Sequence, residues 1–199
     1  MSSSLRDAML IPTPPLTPEH QTLINDRNTQ IGNICVQWAH IESQLSITIW
    51  ALLHLDDATG KLVTGGLDMM ARVSMALRLA QHLRAPGLLI AAIKKVRTEL
   101  QTGLLEKRNL VVHGQRNLDF NNTTVEYFEV HRGKSAGIKQ SLTNAQLHEI
   151  GMKLYWIGIE YYAVLFAQGV LTTQKGKPER IIALRPEMNA ASSESTDKS

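Results

Sequence analysis

The sequence has a single cysteine, Cys35, among its 199 residues. One thiol forms neither an intrachain disulfide nor a metal site made of cysteines alone, which indicates a reducing, cytoplasmic compartment. Of the seven prolines, four lie within the first 18 residues, where no periodic apolar pattern is present. Residues 1–18 are therefore predicted to form a flexible arm. With 43% hydrophobic and 20% charged residues, the composition is typical of one globular domain and excludes a disordered or fibrous protein.

Long apolar runs are also few. The run Ala8–Ile11 is too short for the core of a signal peptide. The stretch Leu154–Leu171 reaches the lower length limit of a membrane span, with Glu160 as its single formal charge. Glu160 and Gln168 would be costly in lipid, and aromatic residues fill the middle of the stretch instead of its ends. We therefore expect no membrane segment but a buried core or dimer-interface helix, with membrane contact as the remaining alternative.

The net charge of +3 is unevenly distributed along the chain. Residues 19–85 carry 5 basic and 6 acidic side chains, whereas residues 86–153 carry 10 basic and 6 acidic ones. A local surplus of positive charge favours the binding of an anionic partner such as RNA. The alternative interpretation is an ordinary solvated surface, on which such an excess has no specific partner.

Apolar spacing and capping residues predict the fold. Apolar residues recur every three or four positions through most of the chain, which is typical of amphipathic helices. The predicted helices run from Pro18, capped by Thr17, to about Leu55, over 57–64, from a cap at Asp68 to about Arg84, from Pro86 to about His113, and from a cap at Thr143 or Asn144 to about Gln168. Strand formers on both sides of a turn predict a β-hairpin at about 117–142. The expected fold is mainly α: an antiparallel helical bundle over residues 19–171, with the hairpin inserted between the last two long helices and a disordered tail at 172–199.

The segment Arg108-Asn109-Leu110-Val111-Val112-His113-Gly114 contains the residues best suited to chemistry. Asn109 and His113 are about 40° apart around a helix, so Asn109 is placed to hydrogen-bond the imidazole and to orient it. Arg108 is about 140° around the helix and about 7.5 Å along it from His113. Arg108 and His113 therefore meet only if the last turn loosens at His113-Gly114, or if two copies of the motif meet across a symmetric interface. Gly114 is expected in the left-handed conformation that ends many helices.

Two histidines and two arginines around one cleft would suit the cleavage of RNA without a metal. A neutral histidine takes the proton of a 2′-hydroxyl, and a second histidine, as imidazolium, protonates the leaving 5′-oxygen. Arginine holds the phosphate as negative charge builds up, and the product is a 2′,3′-cyclic phosphate. The alternative is structural: Arg108 is a surface charge, and His113 is favoured at the helix C-terminus by the helix dipole.

The run from Arg108 to His113 resembles the Arg-x4–6-His signature of HEPN domains, with a polar residue directly after the arginine. The segment Trp38-Ala39-His40-Ile41-Glu42-Ser43-Gln44-Leu45 is similar to the first helix of bacterial members with an RN…HG motif. The resemblance extends over about residues 19–170. It implies a homodimer whose paired motifs form a metal-independent endoribonuclease site, as in toxin–antitoxin, abortive-infection (phage defence) and CRISPR systems. It further implies RNA as substrate and an antitoxin or another regulatory protein as partner; an inactive, HEPN-like dimeric interaction module is the alternative.

In this interpretation, Arg108 holds the phosphate, His113 is the acid and base, and Asn109 orients it, while Glu42 approaches Arg108 as an orienting carboxylate or forms an ordinary ion pair. The side chains expected to contact RNA are Lys107, Arg116, Arg132 and Lys134. No histidine spacing matches a zinc motif, so no metal and no cofactor are expected. On the hairpin, Tyr127 and Phe128 are the only aromatic residues placed to stack on RNA bases. Seven other aromatic residues are expected in the core: Trp38, Trp50, Tyr155, Trp156, Tyr161, Tyr162 and Phe166.

Overall fold

The computed structural model describes residues 17–119, 124–131 and 134–171, with the backbone alone over 115–139. The predicted tail lies outside these residues, as does the predicted arm except for Thr17 and Pro18. The described elements are α1 (Pro18–Leu52), α2 (Asp57–Thr64), α3 (Met69–His82), α4 (Gly87–Glu99), a π-helical turn (Leu100–Leu104), α5 (Leu105–His113), β1 (Gln115–Asp119), β2 (Thr124–His131), β3 (Lys134–Thr143) and α6 (Asn144–Ala167).

Side-chain caps begin the helices where the sequence predicts them. The Thr17 hydroxyl accepts a hydrogen bond from the His20 amide at 3.2 Å, and the Asp68 carboxylate accepts one from the Ala71 amide at 2.8 Å. Thr143 starts α6 with a full capping box, in which the first-turn glutamine side chain also accepts from the Thr143 amide. Each cap satisfies backbone donors that lack a partner in the first helical turn. The predicted starts of α1, α3 and α6 are thus confirmed.

The helices pack into a mainly helical bundle around one apolar core, as the composition and periodicity predict. Aliphatic side chains from α1, α3, α4 and α6 are completely shielded from solvent there, and each contributes about 1.5–3 kcal/mol by its removal from water. The fully buried aliphatic residues larger than alanine on these four helices are Ile34, Ile41, Leu45, Ile49, Val73, Leu89, Ile93, Leu147, Leu154 and Leu165.

The pairing of α1 with α6 differs from the predicted antiparallel arrangement, because these two helices run in the same direction. Short connections produce antiparallel neighbours, but most of the chain lies between α1 and α6, so this rule does not apply to them. Two glycines of α6, seven residues apart, bring its backbone close to α1. The residue numbers of the contacting pairs increase along both helices, as they do only for a parallel pair: Gln30 with His148, Ile34 with Gly151, Ile41 with Gly158 and Thr48 with Tyr161.

The single helix predicted from Pro86 to His113 is interrupted at Gly103. Gly103 has φ +96°, a conformation that glycine adopts at little cost, and helical geometry is also lost at Thr102, where ψ is +26°. The residues on either side, Leu100 and Leu104, are 0% and 6% exposed. Because both leucines stay in the core, the apolar periodicity continues across the kink, and the sequence pattern therefore gives no sign of the interruption.

The backbone between α5 and α6 forms three strands where the sequence predicts a two-stranded hairpin. They pair antiparallel in the order β1-β2-β3, with a register shift in β2 next to Phe128. The additional strand, β1, begins directly after α5, and β3 leads straight into the cap of α6. The strands therefore connect the end of the Arg108–His113 helix to the start of the last helix.

Several aromatic residues of α6 are not in the core, which corrects the prediction. Trp38 and Tyr161 are buried, at 4% and 1% exposure. Trp156 is 55% exposed, and similar values hold for three further aromatic side chains on the same helix, Tyr155, Tyr162 and Phe166. None of the helices in the described part of the chain has the length and apolar character needed to cross a lipid bilayer.

Candidate functional site

The candidate site lies on α5, the short helix that follows the kink at Gly103. This helix ends at His113, and Gly114 continues in an extended conformation, with φ −67° and ψ 147°. The predicted left-handed conformation of Gly114 is therefore wrong. A side chain at this position is excluded for another reason: a Cβ atom on Gly114 would collide with the carbonyl oxygen of Leu110. The helix thus stops at His113, and the imidazole is the last helical side chain.

Arg108 and His113 are in direct contact within one chain. The Nη1 atom of Arg108 lies 3.0 Å from Nε2 of His113. Because a guanidinium only donates hydrogen bonds, Nε2 is the acceptor, which places the imidazole proton on Nδ1. Ideal helix geometry predicts that these side chains stay apart, but the long arginine side chain spans the last turn. The lone pair of Nε2, which would act as the general base, is therefore occupied by the hydrogen bond from Arg108.

Asn109 contacts Arg108 where the sequence predicts a bond to His113. The Nη1 atom of Arg108 donates to Oδ1 of Asn109 at 3.0 Å. The same nitrogen has two protons, so one reaches the amide and the other reaches the imidazole. Asn109 therefore fixes the guanidinium, and the guanidinium in turn fixes the histidine tautomer.

The face of the guanidinium rests on a buried indole. The Cζ atom of Arg108 lies 4.8 Å from the ring centroid of Trp38 on α1. Trp38 is 4% exposed, so the ring is fixed by the core. A cation over an indole face gains about 0.5–2 kcal/mol, depending on how far it is removed from water. The Nε atom of Arg108 is buried without a hydrogen-bond partner among the described residues, so stacking on Trp38 is what holds the inner part of this side chain.

Glu42 forms its ion pair with Arg72 in this structure and not with Arg108. Its Oε1 atom lies 3.2 Å from Nη1 of Arg72 on α3, and Nη2 of Arg72 donates to the carbonyl oxygen of Thr64 at 3.0 Å. This partly buried group joins α1, α2 and α3 one helical turn beyond Trp38. Of the alternatives for Glu42, the ordinary ion pair is the one that the structure contains.

The basic residues expected to contact RNA are only partly described. Lys107 is exposed next to Arg108 and borders a polar cleft of about 110 Å³ between α5, β3 and α6. Arg116 lies on β1, three residues after His113, opposite Tyr127 in the strand register. Lys134 begins β3, and Arg132 lies outside the described residues. Backbone positions thus place Arg116 and Tyr127 near the end of α5.

Trp38 is a residue of the site that motif and spacing did not connect with it. It is the only aromatic residue among the apolar positions of α1 before Trp50. Residue type alone predicts a core position for this ring, so the sequence gives no signal of its role beneath Arg108. The pairing with Arg108 depended on the kink at Gly103, which periodicity did not indicate.

Within the described residues, no three histidine, cysteine, aspartate or glutamate side chains are close enough to hold a metal ion together. In the comparisons with known proteins, no family model, no curated protein and no solved structure matches this chain. The function must therefore be inferred from the side chains of the site themselves.

Proposed function

We propose that this chain is a HEPN-like, metal-independent endoribonuclease that acts in the cytoplasm as a homodimer. The observation that carries the proposal is the 3.0 Å contact between Nη1 of Arg108 and Nε2 of His113. Arginine binds phosphate as a planar fork, and a neutral imidazole accepts a proton near neutral pH. The phosphate-binding group and the proton acceptor that RNA cleavage needs are therefore adjacent.

In the absence of RNA, Arg108 occupies Nε2 of His113, the atom that acts as the general base. Binding of RNA releases this atom from Arg108. The phosphodiester anion competes for the guanidinium, because a charged acceptor binds it more strongly than a neutral imidazole does. As Arg108 turns to the phosphate, Nε2 of His113 becomes free to take the proton of the neighbouring 2′-hydroxyl. Asn109 and Trp38 keep the guanidinium within reach during this exchange.

The reaction is a transesterification that needs no added water. The 2′-oxygen attacks phosphorus while its proton passes to Nε2 of His113, and the bond from phosphorus to the 5′-oxygen breaks. The leaving 5′-oxygen takes a proton from an imidazolium, which the second copy of His113 supplies in the dimer. The products are a 2′,3′-cyclic phosphate and a free 5′-hydroxyl. Arg108 stabilises the negative charge that develops on the phosphate oxygens.

The first experiment measures cleavage of mixed-sequence RNA in EDTA, with analysis of the product ends. We expect His113→Ala to lower the rate by about 10²–10⁴-fold, the usual contribution of an acid or base. His82→Ala is the matched control, because His82 is also an exposed histidine at the last position of a helix, α3. Arg108→Lys keeps the charge but loses the fork, and we expect it to lower the rate by about 100-fold.

Cleavage that leaves cyclic phosphates in the wild type and in His82→Ala, but not in His113→Ala, supports the proposal. Equal background cleavage by all three proteins contradicts it. In that case, the alternative that remains is a non-catalytic HEPN-like dimeric module, for which the contact between Arg108 and His113 only stabilises the end of α5.

A further inference from the structure

The outward face of α6 carries a row of large apolar side chains exposed to solvent. Tyr155, Ile159, Tyr162 and Phe166 are between 37% and 48% exposed, and Trp156 beside them is 55% exposed. We name these five residues the outer seam. Of the nine exposed large hydrophobic residues in the described part of the chain, five belong to it. The rings of Tyr155 and Trp156 also contact each other edge to face, with centroids 5.3 Å apart.

The outer seam repeats the spacing of the buried face of the same helix. Its main positions follow one another at steps of four, three and four residues, which keeps them in line along a helix that pairs with another helix. The buried face of α6 has the same alternation and packs against α1 and the core; its residues are Leu147, Gly151, Leu154, Gly158, Tyr161 and Leu165. Thus α6 has two helix-pairing faces, and α1 occupies one of them.

The exposed area of the outer seam suits a protein–protein interface of standard size. An aromatic side chain offers about 150–250 Å², so the five partly exposed residues present about 400 Å² of apolar surface. Such interfaces are about 57% apolar as a whole, so an interface centred on the seam would cover about 700 Å² on each partner. A standard interface covers about 800 Å² per partner.

We propose that the outer seam is the contact surface for a second copy of this chain, in a two-fold arrangement with Ile159 near the axis. An apolar row is complementary to itself, and a two-fold contact places the same surface of both copies together. The seam contains no charge. Glu160, at its border, is already paired with Lys95 of α4 in the same chain, so the partner need not supply a matching charge. The proposed function also requires two copies, but the seam supports pairing by itself, whether or not the dimer cleaves RNA.

Sedimentation equilibrium of the full chain tests the inference at about 1–100 µM protein, where standard interfaces of modest affinity assemble. We expect the wild type to be a dimer and Ile159→Glu to raise its dissociation constant at least about tenfold, because a charge at the axis would face its own copy. Leu62→Glu is the matched control: Leu62 is 85% exposed on α2, outside the seam, and its replacement should leave the dimer unchanged. Circular dichroism verifies that each variant keeps the helical content of the wild type.

A cross-linking experiment tests the position of the axis. In a Cys35→Ser background, Ile159→Cys is expected to form a disulfide-linked dimer under mild oxidation, because a residue near a two-fold axis faces its own copy. Leu62→Cys in the same background should remain uncross-linked under the same conditions.

A wild type that stays monomeric over this range overturns the inference, whatever else binds the seam. A dimer that is equally stable in Ile159→Glu and Leu62→Glu also overturns it. The proposed function fails separately: a dimeric wild type that does not cleave RNA refutes the nuclease and leaves the seam as the dimer interface. Cleavage by a monomeric wild type overturns both the seam dimer and the two-copy mechanism of the proposed function.

Discussion

Replacement of Gly103 by alanine tests the kink that places the candidate site. Gly103 has φ +96°, and a Cβ atom built on it would have no neighbour within 4 Å. The substitution therefore creates no collision, and its cost comes from the backbone alone. A residue with a Cβ in the left-handed region costs about 1–2 kcal/mol. Alanine recovers about 0.4–1 kcal/mol by restricting the unfolded chain, so we expect a net loss of about 1 kcal/mol in the free energy of unfolding.

Gly32→Ala is the matched control for this substitution. Gly32 lies within α1, also has no neighbour within 4 Å of a built Cβ, and has no positive φ. Alanine in the interior of an exposed helix is favoured over glycine by about 0.5–1 kcal/mol. The two substitutions are chemically identical, and the structure predicts effects of opposite sign. The difference between them should therefore be about 1.5–2 kcal/mol.

Urea unfolding followed by far-ultraviolet circular dichroism measures both variants. For a chain of this size, about 1 kcal/mol corresponds to a shift of about 2–4 °C in the melting temperature, which gives an independent reading. If Gly103→Ala stabilises the protein as much as Gly32→Ala does, residue 103 is helical and α4 continues straight into α5. The placement of Arg108 over Trp38 by the kink would then be refuted.

Two further substitutions test the core and the support of the site. Burial raises the pKa of Tyr161 above its usual range, so folding favours its neutral form; this contribution is complete below about pH 10 and is lost as the pH rises further. Since the Thr48 hydroxyl already donates to the carbonyl of Gln44, Tyr161 is the donor in their 2.7 Å hydrogen bond. Tyr161→Phe should therefore lower the free energy of unfolding by about 1 kcal/mol at pH 7 and by less above pH 10. Chemical denaturation of both proteins at several pH values measures this effect. If the difference in unfolding free energy between wild type and variant does not change with pH, the phenol of Tyr161 is not buried. Trp38→Leu keeps an apolar side chain but removes the ring face under Arg108, so we expect about a fivefold loss of RNA cleavage from about 1 kcal/mol, substantially restored in Trp38→Phe; equal losses in both would indicate a packing role only.

Local rules predicted the beginnings of the helices, because a cap depends on residues within one turn of each other. Thr17, Asp68 and Thr143 all cap as expected. Apolar periodicity also predicted that α1 and α3 are amphipathic helices, and most of the residues buried in them are apolar. The same periodicity failed to indicate the direction of α6 relative to α1. It reports which face of a helix is buried, and it contains no information about the neighbour that covers that face.

The composition of the site was predicted better than its contacts. Arg108 and His113 were selected by residue type and spacing, but their meeting within one chain depends on the rotamer of a long side chain, which spacing on an ideal helix does not describe. The sequence also leaves the partner of Glu42 open, because it does not show which basic residue of another helix lies next to this carboxylate. The prediction of a core position is wrong for the exposed aromatics of α6, because residue type alone does not distinguish a core face from an interface.

The parallel pairing of α1 and α6 has a consequence for the synthesis of the protein. Hydrogen bonds between these helices, including their cap regions, join residues 113 to 121 positions apart. At about 5–20 residues per second, a ribosome completes α1 several seconds before it completes α6. During that time the nascent chain exposes an uncovered apolar face of a 35-residue helix, which is a binding surface for chaperones and a site of aggregation. Translation products that stop before α6 keep this apolar face of α1 exposed, and they are therefore expected to be degraded.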